Sequence, residues 1–226
     1  MTRSIAAVLL VVPFTVMLGC ASSPPTAPTI AVSVRSSPEK AEVFLKGRLV
    51  GTTTVSLDVA SLAQLLEITA RIPGSELIET RVHVVTPQRA ELSFRFGAEP
   101  GVLARRLGLT KVLIFDYASN ATFDVDRYEL KGDFLSLLRQ QAAILNEYFP
   151  TIEVYVCGHT DDTGTAVHNL ELSLKRAEVV SAFLASCGVE KRRMVVQGFG
   201  KDYPVEANST EEGRALNRRT EIILPQ

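Results

Sequence analysis

Hydrophobic and polar positions follow two periods along this chain, and the change from one to the other divides it. From Ile30 to Phe96 the period is two. Ile30, Val32 and Val34 alternate with Ala31, Ser33 and Arg35, as expected of a strand buried on one side. Ala41, Val43 and Leu45 repeat the pattern, and Lys46-Gly47-Arg48 supplies a turn before Leu49 and Val50. Residues 68–72, 80–85 and 90–96 read as further strands. Short strands at close spacing predict a small all-β sandwich domain over residues 30–97. Residues 98–110 hold Arg105, Arg106, Gly101 and Gly108 and read as a connector.

Beyond the connector, helical periodicity joins the strands. Val112 to Phe115 is strand-like. Phe134, Leu137, Leu138, Ile144, Leu145 and Tyr148 form a helical stripe, which Pro150 ends. Ile152, Val154 and Val156 then alternate with Glu153, Tyr155 and Cys157, predicting a half-buried strand. Gly158 and Gly164 bracket a polar turn holding His159 to Thr163. A second helix is expected over 169–187, with Leu170, Leu174, Ala177, Val180 or Ser181, and Leu184 on its buried side. Gly188 suits the position just past its end. Asn169, Ser173 and Arg176 share one face of that helix. Strands at 194–197 and 219–224 close the chain. The class is α/β (α+β): a two-layer βαβαβ domain over residues 111–226, with helices packed on a mixed sheet.

The N-terminus reads as a targeting segment. Arg3 precedes the apolar run Ile5 to Leu18, which is too short to span a bilayer. Met17-Leu18-Gly19-Cys20-Ala21 resembles a bacterial lipobox, with Met17 where Leu is commoner. The resemblance implies a signal peptide over residues 1–19 and lipidation of Cys20. Ala21 after the cysteine implies sorting to the outer membrane, with the chain anchored there and facing the periplasm. An ordinary secretory signal cut near Ala21 and an uncleaved anchor are the alternatives. Residues 20–29 form a Pro/Ser/Thr linker, and about ten residues reach at most about 35 Å.

Composition changes this picture little. The chain has 226 residues, 46% hydrophobic and 22% charged, with a formal net charge of −1. Nothing in that balance points to nucleic acid as a partner.

Two resemblances add to it. Ser36 to Thr53 (SSPEKAEVFLKGRLVGTT) resembles the PEGA domain family, with Lys40 where that family has glycine. FDVDRYEL at 123–130, GHTDDTG at 158–164, NLELSLKRA at 169–177, GFGKDYP at 198–204 and NSTEEGRALNRRTEI at 208–222 resemble the C-terminal domain of the outer membrane protein A family, shared with the peptidoglycan-associated lipoproteins. That resemblance covers residues 111–226. It implies non-covalent binding of peptidoglycan through the diaminopimelate of the stem peptide, without catalysis. By motif matching it places the key acid on Asp161 and the key arginine on Arg176. Asn169, Thr160, Asp126, Phe123 and Arg218 are its supporting ligand-binding residues.

The residue chemistry agrees with that assignment. Diaminopimelate in a stem peptide keeps an ammonium and a carboxylate on one carbon. Asp161 suits the ammonium, and the guanidinium fork of Arg176 suits the carboxylate in a way Lys175 would not. A structural Asp161–Arg176 ion pair is the bland alternative. Asn169 also suits a helix N-cap, and Asp124 a local turn. Arg219 reads as a surface or stacking residue, and Phe199 and Tyr203 as packing.

No metal site is expected. His159 and His168 lack a third ligand and a recognised spacing, so His159 reads as a hydrogen-bonded turn histidine and His83 as structural. No cofactor and no catalytic residue is expected. Asp161 and Asp162 are adjacent, unlike a glycosidase pair that faces across its substrate. Cys157 and Cys187 are expected as two buried thiols rather than a bridge. The chain thus reads as a tether between the outer membrane and peptidoglycan. The alternative is an accessory that localises an envelope complex, such as a secretion apparatus or a Tol-Pal-like assembly, with residues 30–97 meeting a protein partner.

Overall fold

In the first part, the two-residue period becomes strands β1 (Ile30–Ser37), β2 (Glu42–Leu45), β3 (Arg48–Thr52), β4 (Val55–Val59), β5 (Ile68–Arg71), β6 (Leu77–Thr86) and β7 (Arg89–Phe96). The structure is a computed structural model that describes residues 29–118, 122–124 and 126–226. The signal peptide, Cys20 and nearly all of the linker lie outside the described residues. β4 and the short 3-10 turn at Ala63–Glu67 lie between the expected strands. Lys46 and Gly47 both take positive φ, 53° and 74°, closing β2 onto β3 in a two-residue hairpin.

The remaining elements are α1 (Val102–Arg106), β8 (Val112–Ala118), α2 (Gly132–Glu147), β9 (Val154–Gly158), α3 (Ala166–Ser186), β10 (Met194–Gly198), α4 (Glu211–Asn217) and β11 (Arg219–Pro225). The expected connector therefore contains a helical turn, α1. The sheet is mixed, as expected: β9 and β10 run parallel, and β11 lies antiparallel to both β8 and β9.

The two parts share that sheet. Its order is β10-β9-β11-β8-β6-β7-β1-β4, while β3-β2-β5 form a second, smaller sheet. β6 of the first part pairs parallel with β8 of the second, from Glu79↔Val112 to Val84↔Tyr117. Every residue of β8 is buried, so both of its edges need partners to satisfy the backbone. β11 takes one edge and β6 the other.

The two faces of the large sheet differ in chemistry. One carries Val34, Leu92, Val82, Phe115, Ile222 and Val156, and packs on the small sheet and on α2 and α3 in one continuous core. The opposite face carries a smaller cluster around Leu103, Ile114, Cys157 and Ile223, together with charge. Arg81 of β6 donates to Asp116 of β8 at 3.0 Å and to Glu221 of β11 at 2.7 Å. Arg219 also donates to Glu221, at 2.8 Å. His83, structural as expected, meets Asp116 at 2.7 Å. This network bridges the strands on which the two parts join. Arg219 is thus a buried ion-pair member, not the surface or stacking residue its position suggested.

α3 differs from expectation in start and in face. Thr165 caps it, its hydroxyl accepting from the His168 amide at 3.2 Å, so Asn169 lies inside the helix and is not its cap. Leu170 and Leu174 are 51% and 38% exposed, while Asn169, Ser173 and Arg176 face inward. The cause is a close approach. A Cβ on Gly158 would lie 2.0 Å from the Ser173 carbonyl oxygen, and one on Gly198 would lie 2.5 Å from the Leu174 amide. The helix backbone rests on the ends of β9 and β10, where a leucine would not fit.

Cys157 packs in the smaller cluster and half-buried Cys187 against the larger one, so they lie on opposite faces of the sheet as free thiols.

Candidate functional site

The polar turn after β9 is tied down by its own backbone. The His159 amide donates to the Arg219 carbonyl at 2.9 Å, and the Thr160 amide to the Gly200 carbonyl at 2.9 Å. The Thr160 hydroxyl donates to the Asp161 carbonyl at 2.8 Å. Asn169 Nδ2 donates to the carbonyls of Thr163 at 2.9 Å and Asp161 at 3.3 Å. Asn169 therefore clamps the turn to the first part of α3. Asp161 is held from both sides: Oδ1 accepts from the Thr163 amide at 3.0 Å and Oδ2 from Arg218 Nη1 at 2.7 Å. Burial alone would raise its pKa, but these bonds to the ionised form prevail and hold the carboxyl below its usual range.

A cavity of about 470 Å³ opens over this turn. Phe123, Asp126, Thr160, Asp161, Asn169, Arg176 and Arg218 all line it. The seven residues singled out from the sequence therefore come together, from the loop after β8, the turn after β9, helix α3 and the cap residue between α4 and β11. Arg176 is buried against the loop before α2. It donates to the carbonyls of Arg127 at 2.9 Å and Asp124 at 3.4 Å, with its guanidinium 5.0 Å above the Phe123 ring. Burial pushes its pKa down to about 10; Asp126 and Asp161 offset part of this, and Arg218 adds to it. Arg176 therefore remains a cation at neutral pH. Asp126 takes a left-handed φ of 56°, which Asp tolerates better than most residues, and its carboxylate lies 2.8 Å from His168 Nε2. Asp124 pairs with Lys131 at 3.1 Å and serves the site through its carbonyl.

Asp161 bonds Arg218, which also reaches Glu211 at 2.7 Å. A carboxylate has about four acceptor positions, and the two bonds described leave room for another donor. Seven further wall residues were not assigned to the site from the sequence: Asp124, Thr163, Gly164, His168, Leu172, Glu211 and Arg214. The signal for two of them lay in Thr210-Glu211-Glu212, a cap followed by acids. Thr210 indeed caps α4 through the Gly213 amide at 3.0 Å, which aims that helix start at the cavity.

His159 is not the hydrogen-bonded histidine expected. It is fully buried, stacked on Phe199 at 5.5 Å, and neither ring nitrogen has a hydrogen-bond partner among the described residues. The Glu221 carboxylate lies 3.7 Å away. Burial, with Arg219, lowers its pKa to about 4 despite that carboxylate. Phe199 and Tyr203 pack edge to face at 5.0 Å, as packing residues should.

Comparison with known proteins adds the family. The OmpA family model matches residues 122–218. The chain is 41% identical over 112 residues to probable lipoprotein YiaD of Escherichia coli K12, covering 50% of this chain and 51% of that one. It is 33% identical over 97 residues to the peptidoglycan-associated lipoprotein of Haemophilus influenzae, covering 43% of this chain and 63% of that one. It therefore spans about half to two thirds of the length of these relatives. The crystal structure of the peptidoglycan-associated lipoprotein from Burkholderia pseudomallei aligns at 35% identity and a TM-score of 0.43, over 46% of this chain and 87% of that one. Residues 122–218, which carry the turn, both flanking helices and every wall of the cavity, form an OmpA family domain.

Proposed function

We propose that this chain binds peptidoglycan non-covalently, through the free ammonium and carboxylate of diaminopimelate in the stem peptide. The observation that carries the reading is the convergence of Asp161 and Arg176 on one cavity. The ammonium meets Asp161, whose carboxylate is kept ionised. The carboxylate meets the Arg176 guanidinium, which the Phe123 ring and the loop carbonyls orient beforehand. Such preorganisation lowers the cost of binding. Asn169 and Thr160 position the turn, and Arg218 shares Asp161 with the ligand. No step is catalytic. Cys20 carries the lipid, the linker reaches from the outer membrane, and the chain tethers that membrane to the cell wall from its periplasmic side. Residues 30–97, a PEGA-like module, present the surface for an envelope protein partner. The supporting observations are the family match at 122–218 and the relatives named as lipoproteins and as peptidoglycan-associated.

The test is titration with a diaminopimelate-containing stem peptide and with its lysine counterpart, which lacks the second carboxylate. Wild type is expected to prefer the former by at least about tenfold, equivalent to about 1.4 kcal/mol. Arg176→Lys abolishes the preference, and Asp161→Asn weakens binding of both peptides. Equal binding of the two peptides by wild type refutes the assignment.

A further inference from the structure

A larger cavity, about 740 Å³, lies on the charged face of the large sheet, where the two parts of the chain meet. Its walls come from both parts: β1, β6 and β7 on one side, and α1, β11 and the loop after β10 on the other. None of its lining residues belongs to the site over Asp161.

Its charges are of both signs. Arg81, Arg219, Glu221 and Glu79 at the floor pair with one another, Arg81 also donating to Glu79 at 3.3 Å, while Asp202 stands exposed on the loop after β10. Arg35 and Arg95 at the lip are exposed, and among the described residues no hydrogen bond or ion pair engages either, although Glu79 lies opposite Arg95 in the β6–β7 register. Strand register sets their spacing. Ser37 lies opposite Arg95, and Arg35 opposite Ser93. The two arginines therefore stand diagonally on one face of adjacent parallel strands, with Cα atoms about 8 Å apart from the strand spacing and rise. That distance lets two guanidinium forks close on one oxyanion.

Apolar side chains also stand at the lip. Val102 of α1 and Val205 of the loop after β10 are 63% and 43% exposed, and both line this cavity with Tyr203 and Leu103. Exposed apolar side chains gathered at a concave site mark a binding surface more than scattered ones do. A ligand that meets both groups needs an oxyanion at one end and an apolar body at the other.

We infer that this junction cavity binds a small amphiphilic anion, with its carboxylate, phosphate or sulfonate between Arg35 and Arg95 and its apolar body against Val102, Tyr203 and Val205. The site exists only because β6 pairs with β8, since neither part alone supplies both halves.

The probe is 8-anilinonaphthalene-1-sulfonate, an aromatic sulfonate that brightens in apolar surroundings, titrated into the full chain. One saturable site is expected. The Arg35→Gln/Arg95→Gln double variant should weaken it at least tenfold with an unchanged melting temperature, because both side chains are exposed and unbonded. Val102→Asp, which sets a carboxylate at the apolar lip, should weaken it independently. Displacement by octanoate assigns a free carboxylate as the ligand type, and displacement by dihexanoylphosphatidylglycerol a lipid headgroup. Undiminished dye affinity in both variants overturns the inference. So does loss of the dye site in Arg176→Lys, which would place it in the other cavity, or failure of both competitors.

Discussion

His159 makes stability depend on pH in a window that isolates it. In the unfolded chain its pKa is about 6.5; in the fold, burial and Arg219 depress it to about 4. A base with a depressed folded pKa binds more protons when unfolded. Its contribution is therefore complete above about pH 6.5 and is lost as pH falls toward 4. At about 1.36 kcal/mol per unit, the loss between pH 7 and pH 5 is about 2 kcal/mol. Asp161 and His83 act mostly outside the part of that window from about pH 6.5 to 5. The pKa of Asp161 is lowered, so its contribution fails only when pH drops below the carboxylate range. His83 shifts the other way: burial lowers its pKa, but Asp116 overrides this and raises it. The stability it adds is complete below its unfolded pKa of about 6.5 and is lost as pH rises, so it stays flat from there to pH 5. The assay is urea unfolding of wild type and His159→Phe at pH 7, 6 and 5. Phe keeps the stack on Phe199 and removes two ring nitrogens without hydrogen-bond partners. The variant should match or exceed wild type at pH 7 and lack the 2 kcal/mol fall. Parallel profiles for the two proteins would refute the placement of a neutral, buried imidazole there.

Further outcomes follow from packing and charge. Gly158→Ala or Gly198→Ala drives a methyl into the α3 backbone. Each should cost at least about 3 kcal/mol in chemical denaturation, whereas Gly132→Ala, with open space around it, should change stability by less than about 1 kcal/mol. Arg81→Met strips Asp116 and Glu221 of a shared cation. It should destabilise by about 3 kcal/mol, as removal of one buried ionic partner does, with one cooperative transition because the two parts share a sheet; two separated transitions would contradict that sharing. In native protein, alkylation followed by peptide mapping should label half-buried Cys187 well before Cys157, whose thiol pKa is raised by burial. In the site, Asn169→Ala frees the turn from α3. It should weaken stem-peptide binding several-fold while leaving the melting temperature within a few degrees.

Much of the site was legible in the chain because its chemistry is local in sequence. Gly158 to Gly164 contains the acid, its turn and its Thr160 anchor. The helical spacing from Asn169 to Arg176 puts the clamp and the arginine on one face, whatever the rest of the chain does. The rotation of α3 was not legible. Leu170 and Leu174 carry the stronger hydrophobic signal, yet Ser173 faces in, because the glycines at the ends of β9 and β10 leave no space for larger side chains. The partner of Asp161 was also hidden. Arg218 lies 57 residues away, and only the antiparallel return of β11 beside β9 brings it over the turn.

By itself the sequence determined the strand and helix periods, the punctuating glycines and prolines, and the presence of Asp161, Asn169 and Arg176 around one turn. These follow from backbone periodicity and steric preference, which act over a few residues. Only the tertiary structure decided that the two parts share one sheet, that an ionic network spans its charged face, that the His159 ring is buried without a hydrogen-bond partner among the described residues, and that a second cavity opens where α1 meets β1 and β7. Each depends on strand pairing between residues far apart in the chain, where burial and long-range charge, rather than local pattern, set the outcome.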